Sequence, residues 1–163
     1  MASYSEHVSQ ANSNLFFLGK INNEGSDHID WQVTTCFYVG VHIINGFLAR
    51  EQNMHFNSHE NVATAIAPES VIPATRLPEQ EYLAYVKLRN LSRRSRYLCQ
   101  ENGRDAHLAH LIEEKHFIKA FRHLDVLLNY FRNKYMENYP LTRITHPFTH
   151  ATPHCLHFTF QVL

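Results

Sequence analysis

Apolar positions fall at helical spacing through most of the first 136 residues and at strand spacing only near the end. Between Tyr4 and Lys20, Val8, Ala11, Leu15 and Leu18 recur at steps of 3, 4 and 3, which lines one face of a helix. Asn22, Asn23 and Gly25 supply the stop. Ser26 or Asp27 then stands where a side-chain oxygen accepting a backbone N–H would cap a second helix. That helix is predicted to run to about Arg50. Trp31, Val33, Cys36, Phe37, Val39, Val41, Ile43, Ile44, Phe47 and Leu48 cover nearly all its sides. A helix apolar all round needs neighbours on several faces, so it is expected at the centre of a bundle.

The stretch from Asn53 to Ser58 is polar, and Ser58 can cap a short third helix from His59 to about Ala67. Pro68, Pro73 and Pro78 punctuate a connector in which no helix persists. Pro78, followed by Glu79 and Glu81, suits a first helical turn, where a missing N–H costs nothing and acidic groups meet the positive dipole end. This fourth helix is expected to reach about Cys99, with Asn102 and Gly103 as its stop. A long fifth helix, from Asp105 to about Met136, places Leu108, Leu111, Ile118, Phe121, Leu124, Leu128, Phe131 and Tyr135 on one seam. Beyond Pro140 no acidic residue occurs, and Pro147 and Pro153 exclude a helix. Leu156, Phe158, Phe160 and Val162 alternate with His157, Thr159 and Gln161, the period of a strand. The pattern predicts an all-α, up-and-down bundle of four to five helices over residues 1–139, with an extended segment or strand over 140–163.

Composition narrows the class. A chain of 163 residues, 44% hydrophobic and 18% charged, fits one domain and is too apolar for wholesale disorder. Fifteen cations against fifteen carboxylates leave no global basic field. Thirteen histidines stand out, because their charge changes between pH 7 and 5. Cys36, Cys99 and Cys155 share no C-x-x-C spacing, which argues against a disulfide framework or zinc knuckle and fits a reducing cytoplasm. The N-terminus lacks the basic and apolar regions of a signal peptide. The apolar stretch from Cys36 to Leu48 is interrupted by Gly40, His42, Asn45 and Gly46 and is shorter than the roughly 20 residues of a bilayer span. A soluble cytoplasmic protein with no membrane association is expected.

Charge is uneven locally. Lys87, Arg89, Arg93, Arg94, Arg96 and Arg104 face only Glu101 across residues 87–104. Arg89, Arg93 and Arg96 share one helical face able to follow a phosphate backbone, with Tyr85 and Tyr97 near enough to stack a base. The same stripe could instead be a solvated face paired with Glu79, Glu81, Glu113 or Glu114.

The string DWQVTTCFYVGVHIINGFLA (Asp30 to Ala49), the Ser58-His59 pair after His55, and YVKLRNLSRRSRYL (Tyr85 to Leu98) resemble the HEPN superfamily. The resemblance is best over residues 26–98. It implies a helical bundle, frequently dimeric, in a superfamily that includes RNA-cleaving toxins, nucleotide-binding toxin–antitoxin partners and non-catalytic members. Its ribonuclease branch uses Arg-x(4–6)-His, in which arginine holds phosphate and histidine moves protons at the 2′-OH. Arg50/His55, Arg104/His110 and Arg143/His150 all fit that spacing. Ten arginines among thirteen histidines predict roughly 2.4 such pairs by chance, so spacing alone selects none. Position in the family's last long helix selects Arg104 for phosphate and His110 for proton transfer. By the same resemblance His55, Ser58 and His59 join Arg89, Arg93 and Arg96 as phosphate-contacting candidates; the plainer reading makes Ser58 a helix cap.

No metal or cofactor is expected. Glu113-x-x-His116 lacks the second Glu-x-x-His of a di-iron bundle. His146, His150, His154, Cys155 and His157 suit zinc, nickel or copper by chemistry, but Pro147 and Pro153 keep them off one helix. The expected function is an RNA- or nucleotide-associated homodimer in a toxin–antitoxin or defence setting, with metal-independent RNA cleavage as its enzymatic form. The alternative is a non-catalytic helical module whose second helix and tail bind a partner protein.

Overall fold

The computed structural model describes residues 2–24, 28–96, 114–146 and 154–162. Five helices, α1 (Tyr4–Glu24), α2 (Ile29–Gln52), α3 (His59–Ile66), α4 (Glu79–Arg96) and α5 (Glu114–Tyr135), precede two strands, β1 (Thr142–His146) and β2 (Phe158–Val162). It is an all-α bundle with a small strand pair at its end. As its composition requires, α2 is the axis, packing against α1, α4 and α5. Val33, Cys36, Phe37, Val39, Ile44, Phe47 and Leu48 are essentially inaccessible to solvent. Among the described helices, α2 alone is long and apolar enough to cross a bilayer, yet 83% of its apolar window is buried against protein. It is a core helix.

Local chemistry sets the ends. Asn53 adopts the left-handed conformation and returns its N–H to the Ala49 and Leu48 carbonyls, closing α2. Ser58 accepts from the Glu60 N–H at 3.2 Å and caps α3 as expected. Ser26 and Asp27, the expected caps of α2, lie outside the described residues, and His28 at the cap position makes no side-chain bond. In the proline-rich connector Thr75 is fully buried, donating its hydroxyl to the Ala65 carbonyl at 2.6 Å. That bond ties the 3₁₀ turn Pro73–Thr75 to the end of α3.

After α5 the chain folds back as a parallel pair, Thr142 opposite Phe158 and Ile144 opposite Phe160. Two polar side chains clamp it. Asn22 of α1 donates to the Thr145 carbonyl and accepts from the Thr145 N–H, both at 2.7 Å, as a neighbouring strand would. Asp125 of α5 accepts from the backbone N–H groups of Leu156 (3.0 Å) and His157 (2.8 Å) and from His157 Nδ1 (3.0 Å). The alternating pattern of the tail needs correction at its start. Leu156 precedes β2 and is 61% exposed, whereas His157, expected on the polar side, is 3% exposed. Phe158 and Phe160 do dock, edge-on to Phe121 at 5.0 and 5.6 Å.

Candidate nucleic-acid interface

The two sides of α4 carry different electrostatics. On the side toward α2 and α3, Arg89 forms an ion pair with Glu60 at 2.9 Å, which offsets part of its charge. Arg96 Nε donates to the Ser92 carbonyl at 3.2 Å and Nη1 to the Tyr38 hydroxyl at 3.1 Å. Its guanidinium lies 5.6 Å from the centre of the Tyr38 ring. His59 meets Phe37 edge-on at 5.0 Å. Burial first, then the Arg96 and Arg89 charges, depress its pKa. The candidates Arg89, Arg96 and His59 therefore converge, but largely to hold α3 and α4 on α2. Arg93 is exposed, with no ion-pair partner among the described residues.

The remaining predicted residues separate. Ser58 is occupied as the α3 cap. His55 belongs to a different group, a chain of three imidazoles. His7 of α1, buried, places Nδ1 3.3 Å from His42 Nδ1 and Nε2 3.3 Å from His55 Nδ1. His7 uses its two nitrogens on opposite neighbours, so the three rings form a relay rather than a convergent ligand set. Among the described residues no group of three or more His, Cys, Asp or Glu is placed to hold a metal ion. Of the histidine-rich tail, His146 and His157 are buried apart, His146 beside Phe117 and Phe160 and His157 on Asp125. Arg104, His110 and His150 lie outside the described residues.

The other side of α4 faces α5, and there no carboxylate among the described residues pairs with Lys87, Arg94 or Lys119. Lys87, Asn90, Leu91 and Arg94 form one stripe of α4, at helical spacing. His116, Lys119 and His123 form the matching stripe of α5. The helices run antiparallel, so Arg94 meets His116 while Lys87 meets His123. Between them lies a cavity of about 310 Å³ with no carboxylate among the described residues lining it. Arg94 Nη1 donates to the His116 Nε2 lone pair at 2.7 Å, which fixes the guanidinium at the cavity wall. Burial first, then the charges of Lys87, Lys119 and Arg122, push the His123 pKa down to about 4. Burial and the surrounding cations together disfavour the protonated form of His123. A second cavity of about 530 Å³ shares Lys87 and His123 and continues along Leu83, Ala84 and Val126 to Gln80 and Glu79.

The basic run is legible in the sequence through Arg89, Arg93 and Arg96, and the fold sets a second stripe of the same run against α5. The signal for the second stripe was present in the spacing of Lys87, Asn90 and Arg94 and of His116, Lys119 and His123. Only the packing of α4 on α5 joins them. Fold and site together define a helical bundle with a cationic cleft between its last two helices. Comparison with protein-family models, with curated proteins and with solved structures finds no match to this chain.

Proposed function

We propose that this protein is an RNA- or nucleotide-associated module that binds phosphate through the α4–α5 cleft. The observation that carries the reading is the convergence of Lys87, Arg94 and Lys119 on one cavity that no carboxylate among the described residues lines, in a chain whose overall charge is zero. Like charges gathered without counter-charges repel one another, and a phosphate relieves that repulsion. Exposed Arg93, on the last turn of α4, extends the positive surface beyond the cleft. The resemblance of Asp30 to Ala49 and Tyr85 to Leu98 to HEPN proteins is of the same functional kind. In that reading the chain acts in the cytoplasm as a homodimer, and Arg104 and His110 would supply any RNA cleavage.

The test is fluorescence anisotropy with labelled single-stranded RNA across a salt series. Each phosphate neutralised on a single strand contributes about 0.7 to the log–log salt slope. The double variant Lys87→Glu/Lys119→Glu should flatten the slope by about 1.4 and weaken binding at least about tenfold at low salt. Both side chains are exposed, so the fold should tolerate the changes. Absence of binding by the parent to both the RNA and AMP at low salt, or an unchanged slope in the variant, would refute the reading.

A further inference from the structure

A phosphodiester carries one negative charge, whereas a terminal phosphate carries roughly 1.5 to 2 at neutral pH. The α4–α5 cavity is built for more than one. Two ammonium groups, Lys87 and Lys119, and the guanidinium of Arg94 line a space of about 310 Å³. That is near the lower limit for a small-ligand pocket, and too small for several nucleotides in a row. Lys87, Lys119 and Arg94 are exposed, but Arg94 is anchored. His116 is 7% exposed, and its ring nitrogen holds Arg94 in place from beneath. A larger cavity adjoins it, sharing Lys87 and His123 and lined further by Leu83, Ala84 and Val126, by Gln80 and Glu79, and by Arg122. Beside the three cations of the first cavity, the second offers apolar wall at Leu83, Ala84 and Val126 and acceptors at Gln80 and Glu79, which suits a nucleoside next to a phosphate.

We infer that the α4–α5 cleft is a phosphomonoester site that takes the terminal phosphate of a nucleotide or RNA end between Lys87, Arg94 and Lys119, with the adjoining chamber receiving the nucleoside. This rests on the phosphate-binding reading above and assigns its ligand. His123 lies at the junction of the chambers and is the group that responds. Lys87 from α4 and Lys119 and Arg122 from α5 face it and disfavour its protonation. A bound phosphate offsets that field, so the His123 midpoint rises.

Two measurements on the full chain test this. The first follows the His123 ring proton by NMR through a pH titration, alone and with inorganic phosphate, AMP or adenosine. Phosphate and AMP should each raise the His123 midpoint by about one unit or more, while adenosine should leave it in place. The second compares RNA oligonucleotides of one sequence with a 5′-phosphate or a 5′-hydroxyl. The phosphorylated form should bind about tenfold tighter or better, and Lys119→Gln and His123→Gln should each abolish the difference. If AMP binds tighter than the phosphorylated RNA, the natural source is a free nucleotide; the reverse order assigns an RNA end. Equal binding of the two RNAs, with no His123 shift in phosphate, overturns the monoester site while leaving RNA binding intact. A His123 shift with phosphate and AMP but no RNA binding upholds the site and defeats the RNA reading.

Discussion

Replacing Asp125 by alanine should unlatch the C-terminal strand. The carboxylate takes three hydrogen bonds, from the Leu156 and His157 backbone N–H groups and from His157 Nδ1, at 2.8 to 3.0 Å. The Asp125 and His157 side chains are 14% and 4% exposed, so water replaces the bonds to His157 poorly, though it reaches the exposed Leu156 N–H. His157 Nε2 already lacks a hydrogen-bond partner, and the substitution would orphan the other ring nitrogen as well. Losing hydrogen bonds to a charged acceptor costs about 1.5–3 kcal/mol. A chain of this size loses about 2–4 °C of Tm per kcal/mol, so a fall of about 3–12 °C is expected in circular-dichroism melts at pH 7. Asp125→Asn, which keeps one acceptor, should fall in between. Hydrogen exchange should show β2 amides losing protection before those of α2, because Phe158 and Phe160 dock on Phe121 only while the strand is held. Acid provides an independent arm. Burial would raise the Asp125 pKa, but the hydrogen bonds from His157 and Leu156 outweigh it and leave it lowered. Its contribution is therefore complete above about pH 4 and is lost as pH falls through the lowered value. A variant that melts within about 2 °C of the parent, with unchanged β2 exchange, would refute the latch.

Other expectations concern the histidine chain, the arginine cage and the α3 cap. Burial, then the His42 and His55 rings, lower the His7 pKa, with Glu6 alone opposing; burial and His55 do the same to His42. The unfolded chain then binds more protons near its ordinary value of about 6.5, so stability present above that pH is lost as pH falls below it. His7→Gln should flatten the dependence of the urea midpoint between pH 7 and 5, and a parent whose stability rises on acidification over that range would contradict the assignment. Arg50 lies 4.8 Å from the Tyr4 ring and 4.1 Å from the Tyr135 ring, whose hydroxyls bond Glu137 and Glu51. Arg50→Lys removes planar stacking and should cost about 1 kcal/mol in chemical denaturation; no loss would show the cage to be ornamental. Ser58→Ala should also cost about 1 kcal/mol through the lost cap but leave RNA affinity unchanged, and a binding defect would return Ser58 to the interface.

What the sequence determined by itself is what depends on neighbours three and four residues apart. The apolar girdle of Trp31 to Leu48 demanded a central helix, Ser58 before His59-Glu60 demanded a cap, and the prolines between Pro68 and Pro78 demanded a break; all three are found. The tail declared its extended character through the period of Phe158 and Phe160. Tertiary structure decided which stripes meet. Asn22 and Thr145 are 123 residues apart, and nothing local marks an asparagine as the clasp of a strand. Leu156 and His157 exchanged their expected environments because Asp125 claims the His157 backbone and ring together. His7, His42 and His55 read as three unrelated histidines until α1 crosses α2 at Gly46, where an added Cβ would sit 3.2 Å from that of His7. The cationic cleft is the same case. Each stripe is periodic and local, but their union depends on the rotation of α4 against α5, which the packing of both helices on α2 sets and no short window of sequence encodes.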